Sequence, residues 1–236
     1  LEAPDLSGGP DGPTGLPSIT GIVQIIGNGS EIKRSDLSSV PPFRIFHVAP
    51  GGELSLQNLV IAGGVAVGDT PLGASDGGGG FVSPGAKLIL EGCSVDGNFA
   101  DFLGGGILAD GTVVVKNSTI ANNAATDGGG IFCGYHGRLT VAGSTLATNR
   151  ASHGGGLFND NGGVVHLEAS VFAANHAAGW GGGIATAGFG PGADAGTLLS
   201  ADRLEIRDNS AAVGGGFFKN IGSAEIANSA IYRNSA

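Results

Sequence analysis

Six glycine triplets punctuate the chain at near-regular intervals, and this spacing restricts the fold more than any other feature. They are Gly78–Gly80, Gly104–Gly106, Gly128–Gly130, Gly154–Gly156, Gly181–Gly183 and Gly214–Gly216, with third members 26, 24, 26, 27 and 33 residues apart. A large apolar residue follows each: Phe81, Ile107, Ile131, Leu157, Ile184 and Phe217. A second column runs five or six residues ahead of the later triplets: Asn98, Asn123, Asn149, Asn175 and Asn209, continued by Asn234. Three residues before each asparagine stands Val95, Ile120, Leu146, Phe172, Ile206 or Ile231. Two before that, a mostly small and polar position reads Cys93, Ser118, Ser144, Ser170, Leu204 and Ser229. Alternating apolar pairs come earlier still, such as Val113/Val115 and Leu139/Val141. Strict alternation marks a strand with one face buried.

Each repeat therefore reads as three short strands joined by a glycine turn, a polar turn and an asparagine turn. Repeats of this length describe one coil of a right-handed parallel β-helix, an all-β solenoid with rungs of about 26 residues. A helical repeat is excluded, because each interior glycine would cost a helix about 1 kcal/mol. Glycine makes up 47 of 236 residues, yet hydrophobic residues reach 41%, so the glycines serve turns and close contacts inside an ordered fold. Parallel coils stack about 4.8 Å apart, which places like residues over like. Asn98, Asn123, Asn149, Asn175, Asn209 and Asn234 are thus expected to form one ladder of side-chain amides, with asparagine also tolerating the left-handed backbone of a sharp turn.

The same columns continue loosely toward the N-terminus in Leu54, Leu56, Leu59 and Ile61, with Gly64 in the asparagine place. Further strands are expected at Ile19–Ile26 and Phe43–Val48. Residues 1–18 read as an extended N-terminal arm or cap segment, and 19–236 as the β-helix. Val67–Ser75 and Ala187–Asp194 read as loops leaving its wall. A chain starting at Leu1 without a leader is expected of a processed, exported protein. It stops at Ile231–Ala236, where the next triplet is due, so that end is expected to continue in further residues or to meet a protein partner or a second copy. Cys93 and Cys133 fall in different columns, more than one rung apart, and are expected to be free.

The runs Gly27-Asn28-Gly29-Ser30-Glu31-Ile32, Phe43-Arg44-Ile45-Phe46-His47-Val48 and Gly52 through Ile61 resemble bacterial secreted β-helix proteins of the pectin-lyase-like superfamily. The later repeats are similar to chlamydial polymorphic outer-membrane protein passengers, which pair a Gly-Gly-Ala-Ile box with Phe-x-x-Asn. Here the third box position is glycine, and Phe172-Ala173-Ala174-Asn175 is the one full match to the second motif. The resemblance covers about residues 19–236. It implies an extracellular or cell-surface setting and a structural or adhesin-like role.

Chemistry is less legible. Polysaccharide lyases and hydrolases share the superfamily, and they need clustered acids. Here Asp96, Asp101, Asp110 and Asp127 read as lying in different columns. The densest charge is on one rung, where Asp202 and Glu205 flank Arg203 and Arg207, with Asp208 following; it reads as a solvated face. His153 and Asp127 share the pre-triplet column on adjacent rungs beside Trp180, and read as surface turn residues. No metal or other cofactor is expected. Trp180, Phe189, Tyr135 and Tyr232 are the aromatics placed to stack on a sugar ring or a partner. The net charge of −9 disfavours nucleic acid, and no apolar run approaches the length needed to span a bilayer. The sequence thus reads as an extracellular structural or adhesin-like scaffold, of a kind that could serve as one subunit of a surface assembly, rather than an enzyme. The alternative is a carbohydrate-active enzyme or a carbohydrate-binding module.

Overall fold

The computed structural model describes residues 1–6, 12–68, 75–188 and 196–236. Among these there is no helix, and every named strand pairs in parallel. The chain is a parallel β-helix whose walls are read directly from strand register. Wall A stacks Lys87–Glu91, Thr112–Lys116, Arg138–Ala142, Val164–Glu168, Leu198–Asp202 and Ser223–Ala227. Wall B stacks Ser94–Asp96, Thr119–Ala121, Thr145–Ala147, Val171–Ala173, Glu205–Arg207 and Ala230–Tyr232. The long strand Glu53–Ala62 runs through both, so together with Ile22–Lys33 they form a single 14-stranded sheet. Wall C is a separate seven-stranded sheet from Phe46–Val48 through Ile107–Ala109 to Phe217–Lys219.

Most wall A strands alternate buried with more accessible positions, as in Thr112–Lys116, because Val113 and Val115 point inward onto the core. Both cysteines are free and buried in that core. Cys93 lies at the corner between walls A and B, its Sγ 3.3 Å from the Leu56 carbonyl. Cys133 stands on wall C in register with Ala109 and Asn159.

The asparagines form the ladder expected of them, and its bonding is complete. Each Nδ2 donates to the next Oδ1, from Asn98 to Asn234, at 2.9–3.0 Å. The backbone N–H of each donates to that same oxygen at 2.9–3.0 Å. The second Nδ2 proton reaches a carbonyl of the preceding rung, as Asn149 does to Ile120 at 2.9 Å. Gly64 starts the series by donating its N–H to Asn98 Oδ1. A second ladder follows the serine column: Ser118 N–H donates to Ser144 Oγ, and Ser144 N–H to Ser170 Oγ, both at 3.1 Å. Leu204 interrupts this column: its backbone N–H donates to Ser229 Oγ, but it offers no hydroxyl to the rung before it.

Two details of register differ from the sequence reading. The left-handed residue is not the ladder asparagine but the one before it: Gly97, Asn122, Thr148, Ala174, Asp208 and Arg233 all have φ between 52° and 62°. The asparagine backbone is committed to the ladder, so the bend falls one residue earlier. The first glycine box is also shifted by one. Gly77 carries the positive φ that Gly104 carries in the next rung, and Gly80 pairs with Ile107, so Phe81 matches Leu108.

The triplet itself has two requirements. Gly128 needs φ +64, and a β-carbon on Gly129 or Gly130 would strike the carbonyls of the next rung's triplet. The described part of the arm packs against the start of wall C: Gly15 N–H donates to Arg44 O at 2.7 Å, and Ser18 Oγ bonds His47 Nδ1 at 2.8 Å.

Replacing Asn149 by Ala removes the oxygen that accepts the Asn123 backbone N–H and one Asn123 amide proton, and the amide that donates to the Ile120 carbonyl. Equilibrium unfolding in denaturant is expected to show a loss of about 3–5 kcal/mol. Ala174→Gly, which only relieves the left-handed backbone at φ 55, is expected to be neutral or to stabilise by up to about 1 kcal/mol.

Candidate functional site

Wall C is apolar on both faces. Inward, Ile107, Ile131, Leu157 and Ile184 enter the main core; outward, Phe81, Leu108, Phe132, Phe158 and Ala185 form a second buried cluster. In-register stacking puts the Phe132 and Phe158 rings 5.3 Å apart and within 2° of parallel. The segments that precede each triplet supply the cover. Trp180 lies over Phe218 at 5.3 Å, and His153 meets Trp180 at 4.4 Å. His153 Nδ1 bonds Asp127 Oδ1 at 2.7 Å across adjacent rungs, with both side chains largely shielded.

Two residues past the outward cluster, a further column reads Asp110, Gly134, Asp160 and Ala187. The Gly134 N–H bonds Ala109 O and the Asp160 N–H bonds Cys133 O, which carries the register of wall C into this turn. Asp110 Oδ1 occupies the space that a β-carbon on Gly134 would need, so the carboxylate leans across the rung that separates it from Asp160. Burial raises the Asp110 pKa to about 6, with Asp76 and Asp160 adding to the rise and His136 opposing it. Burial also raises Asp160, with Asp127 contributing, and raises Asp127 against the pull of His153. Beneath them, burial and the Asp110 charge push the Cys133 thiol up to about 12, which leaves it unreactive near neutral pH.

Asp110 and Asp160 therefore share a column that the sequence reading did not see. The signal was present: Asp110, Gly134 and Asp160 each fall four residues after the last glycine of their triplet. The aromatic candidates are not brought together. Trp180 is half-buried in the outer cluster. Tyr135 is 61% exposed on the turn after wall C, edge-on to His136. Tyr232 lies far along the outer face of wall B, bonded to Glu205 with Arg233 over its ring. Phe189 and most of both insertion loops lie outside the described residues. The charged rung resolves into pairs within and between rungs: Arg203 joins Asp202 beside it to Glu168 on the rung before, and Asp208 joins Arg207 beside it to Arg233 on the rung after.

No protein-family model matches this chain, and searches of curated proteins and of solved structures each return no match.

Because its pKa is higher in the folded chain, Asp110 favours the fold most below the unfolded carboxylate pKa, and that contribution is lost as pH rises through about 6. Asp110→Asn removes the dependence. In buffer free of divalent cations, the variant is expected to gain stability over the parent between pH 4 and pH 7, by at most about 3 kcal/mol. Thermal melts at both pH values check this.

Proposed function

We propose that the chain is an extracellular structural scaffold of the adhesin-like kind, a stiff stalk whose outward columns present contacts to a surface or partner. One observation carries the reading. The inner columns and both ladders repeat almost unchanged from rung to rung, while the outward column beside them varies freely as Ser55, Ile89, Val114, Thr140, His166, Ser200 and Glu225. Such a surface displays different chemistry at regular steps on a constant frame, which suits presentation along a rod. The resemblance of the repeats to bacterial secreted and polymorphic outer-membrane passengers supports the same role.

A second reading, a carbohydrate-active enzyme or carbohydrate-binding module, draws on the half-buried acids and Trp180 on the outer side of wall C. Assays on the purified chain separate the two. Beads coated with it are expected to adhere to glycan- or matrix-coated surfaces several-fold better than albumin-coated beads. Soluble acidic and neutral polysaccharides incubated with it are expected to yield neither reducing ends nor unsaturated products. Steady release of either product overturns the scaffold reading in favour of an enzyme, and adhesion no better than albumin removes its adhesive component.

A further inference from the structure

We propose that Asn28 and Asn117 are acceptor sites for N-linked glycans, both on the corner where wall A turns into wall B. The motif that such transfer needs, asparagine followed two residues later by serine or threonine, occurs twice: Asn28-Gly29-Ser30 and Asn117-Ser118-Thr119. Far apart in sequence, the two are brought into one column by the fold. Gln57, Glu91, Lys116 and Ala142 stand in register at the end of wall A. Each is followed by a left-handed corner residue, Asn58, Gly92, Asn117 or Gly143, with φ between 47° and 62°. In the first rung the same corner is the bulge between Ile26 and Ser30, where Asn28 has φ 49.

The backbone accounts for asparagine at this corner, because asparagine, like glycine, adopts the left-handed conformation at little cost. It does not account for the hydroxyl two residues later. That outward position of wall B accepts Val60, Ser94, Thr145, Val171 and Glu205 as readily as Thr119. The groups that transfer requires are also accessible. Asn28, Ser30, Asn117 and Thr119 are exposed, and their side chains make no hydrogen bond among the described residues. Farther along the same corner the side chains are engaged: Asn228 Nδ2 donates to Asp202 at 2.7 Å, and Arg203 is ion-paired. The ladder asparagines, from Asn98 to Asn209, are buried. Asn117 has clearance on both sides, since Gly92 on the rung before and Gly143 on the rung after carry no side chain. The corner opens there into a shallow cavity of about 660 Å³ whose lining includes Asn28, Asn58, Asn117 and Thr119. A bulky, solubilising substituent fits such a surface.

The inference rests on the extracellular setting proposed above, since the transferase and its donor work at secretory membranes. In the transfer, the asparagine Nδ2 attacks the anomeric carbon of a sugar carried on a lipid pyrophosphate. The nitrogen–carbon bond forms and the carbon–oxygen bond to phosphate breaks. The displaced proton passes to a base of the transferase, and the lipid pyrophosphate leaves.

Mass spectrometry of the full chain tests the assignment, on protein from its own source and from a secretory host whose transferase reads this motif. Enzymatic removal of the glycan in heavy-oxygen water turns each occupied asparagine into labelled aspartate. Label is expected at Asn28 and Asn117 in both preparations. Asn58 should stay at background, because it shares the corner but is followed by Leu59-Val60. Thr119→Val should remove the Asn117 label alone, and Ser30→Ala the Asn28 label alone. Asn117→Gly takes the residue that the neighbouring rungs carry at this corner, and it repeats the first loss with the wall B hydroxyl intact. Val60→Thr supplies the missing hydroxyl and should bring label to Asn58. A source chain recovered from outside the cell without label overturns the proposal and leaves the scaffold reading standing. One found only inside the cell, also unlabelled, overturns both. Host-made chain unlabelled at Asn117, or still labelled there in Thr119→Val, overturns the proposal as well. Bead adhesion of the deglycosylated chain reads the scaffold role separately.

Discussion

The asparagine ladder is the constraint on which the other columns depend. An amide side chain offers two protons and one strong acceptor, and the rung spacing lets each group find its partner on the neighbouring coil. Every ladder oxygen from Asn123 to Asn234 accepts both a side-chain and a backbone N–H from the preceding asparagine, so side chain and main chain are locked together. Rung length can then vary only outside the ladder, which is why the 33-residue spacing before Gly216 leaves the wall register intact. Residues such as Thr148 and Ala174 hold a left-handed backbone that costs roughly 1–2 kcal/mol each, and the satisfied amides offset that strain. The glycine triplets follow from the same closeness: directly against the ladder, the next rung leaves no room for a β-carbon.

Wall C shows how one strand set serves two cores. Its strands bury residues on both faces, with aliphatic side chains inside and stacked phenyl rings outside. The segment between ladder and triplet must cover the outer rings, and it does so with Leu103, Trp180 and the Asp127–His153 pair. The half-buried acids arise at the margin of this cover, where the wall turns away toward wall A. Their raised pKa values report low solvation beside an apolar cluster.

The repeat made the architecture legible. Gly triplets, the Asn98–Asn234 column and the Val113/Val115 alternation are each one-dimensional signals with one compact solution, and the strands at Ile107, Thr112 and Thr119 begin where those signals place them. The single-residue shift at Gly77 was not legible, because a run of four glycines has no internal frame until the neighbouring rung supplies one. Asp110 was read as standing in a column apart from the other acids, and its column-mate Asp160 was not seen, because position four after the triplet is glycine in one rung and alanine in another. Only stacking reveals that a missing side chain there is a gap and not a break in pattern. Trp180 looked like an exposed contact residue because the second apolar face of wall C has no separate signature beyond a large residue after Ile107, Ile131 and Leu157.

The fold requires the ladder amides to be true structural members. Hydrogen exchange of the side-chain amide protons, resolved by nitrogen-15 NMR, reads this without mutation. The Nδ2 protons of Asn149 and Asn175 should exchange only through opening of the surrounding rungs, at least roughly a thousandfold more slowly than those of exposed Asn122. Equal rates for Asn149 and Asn122 would contradict it.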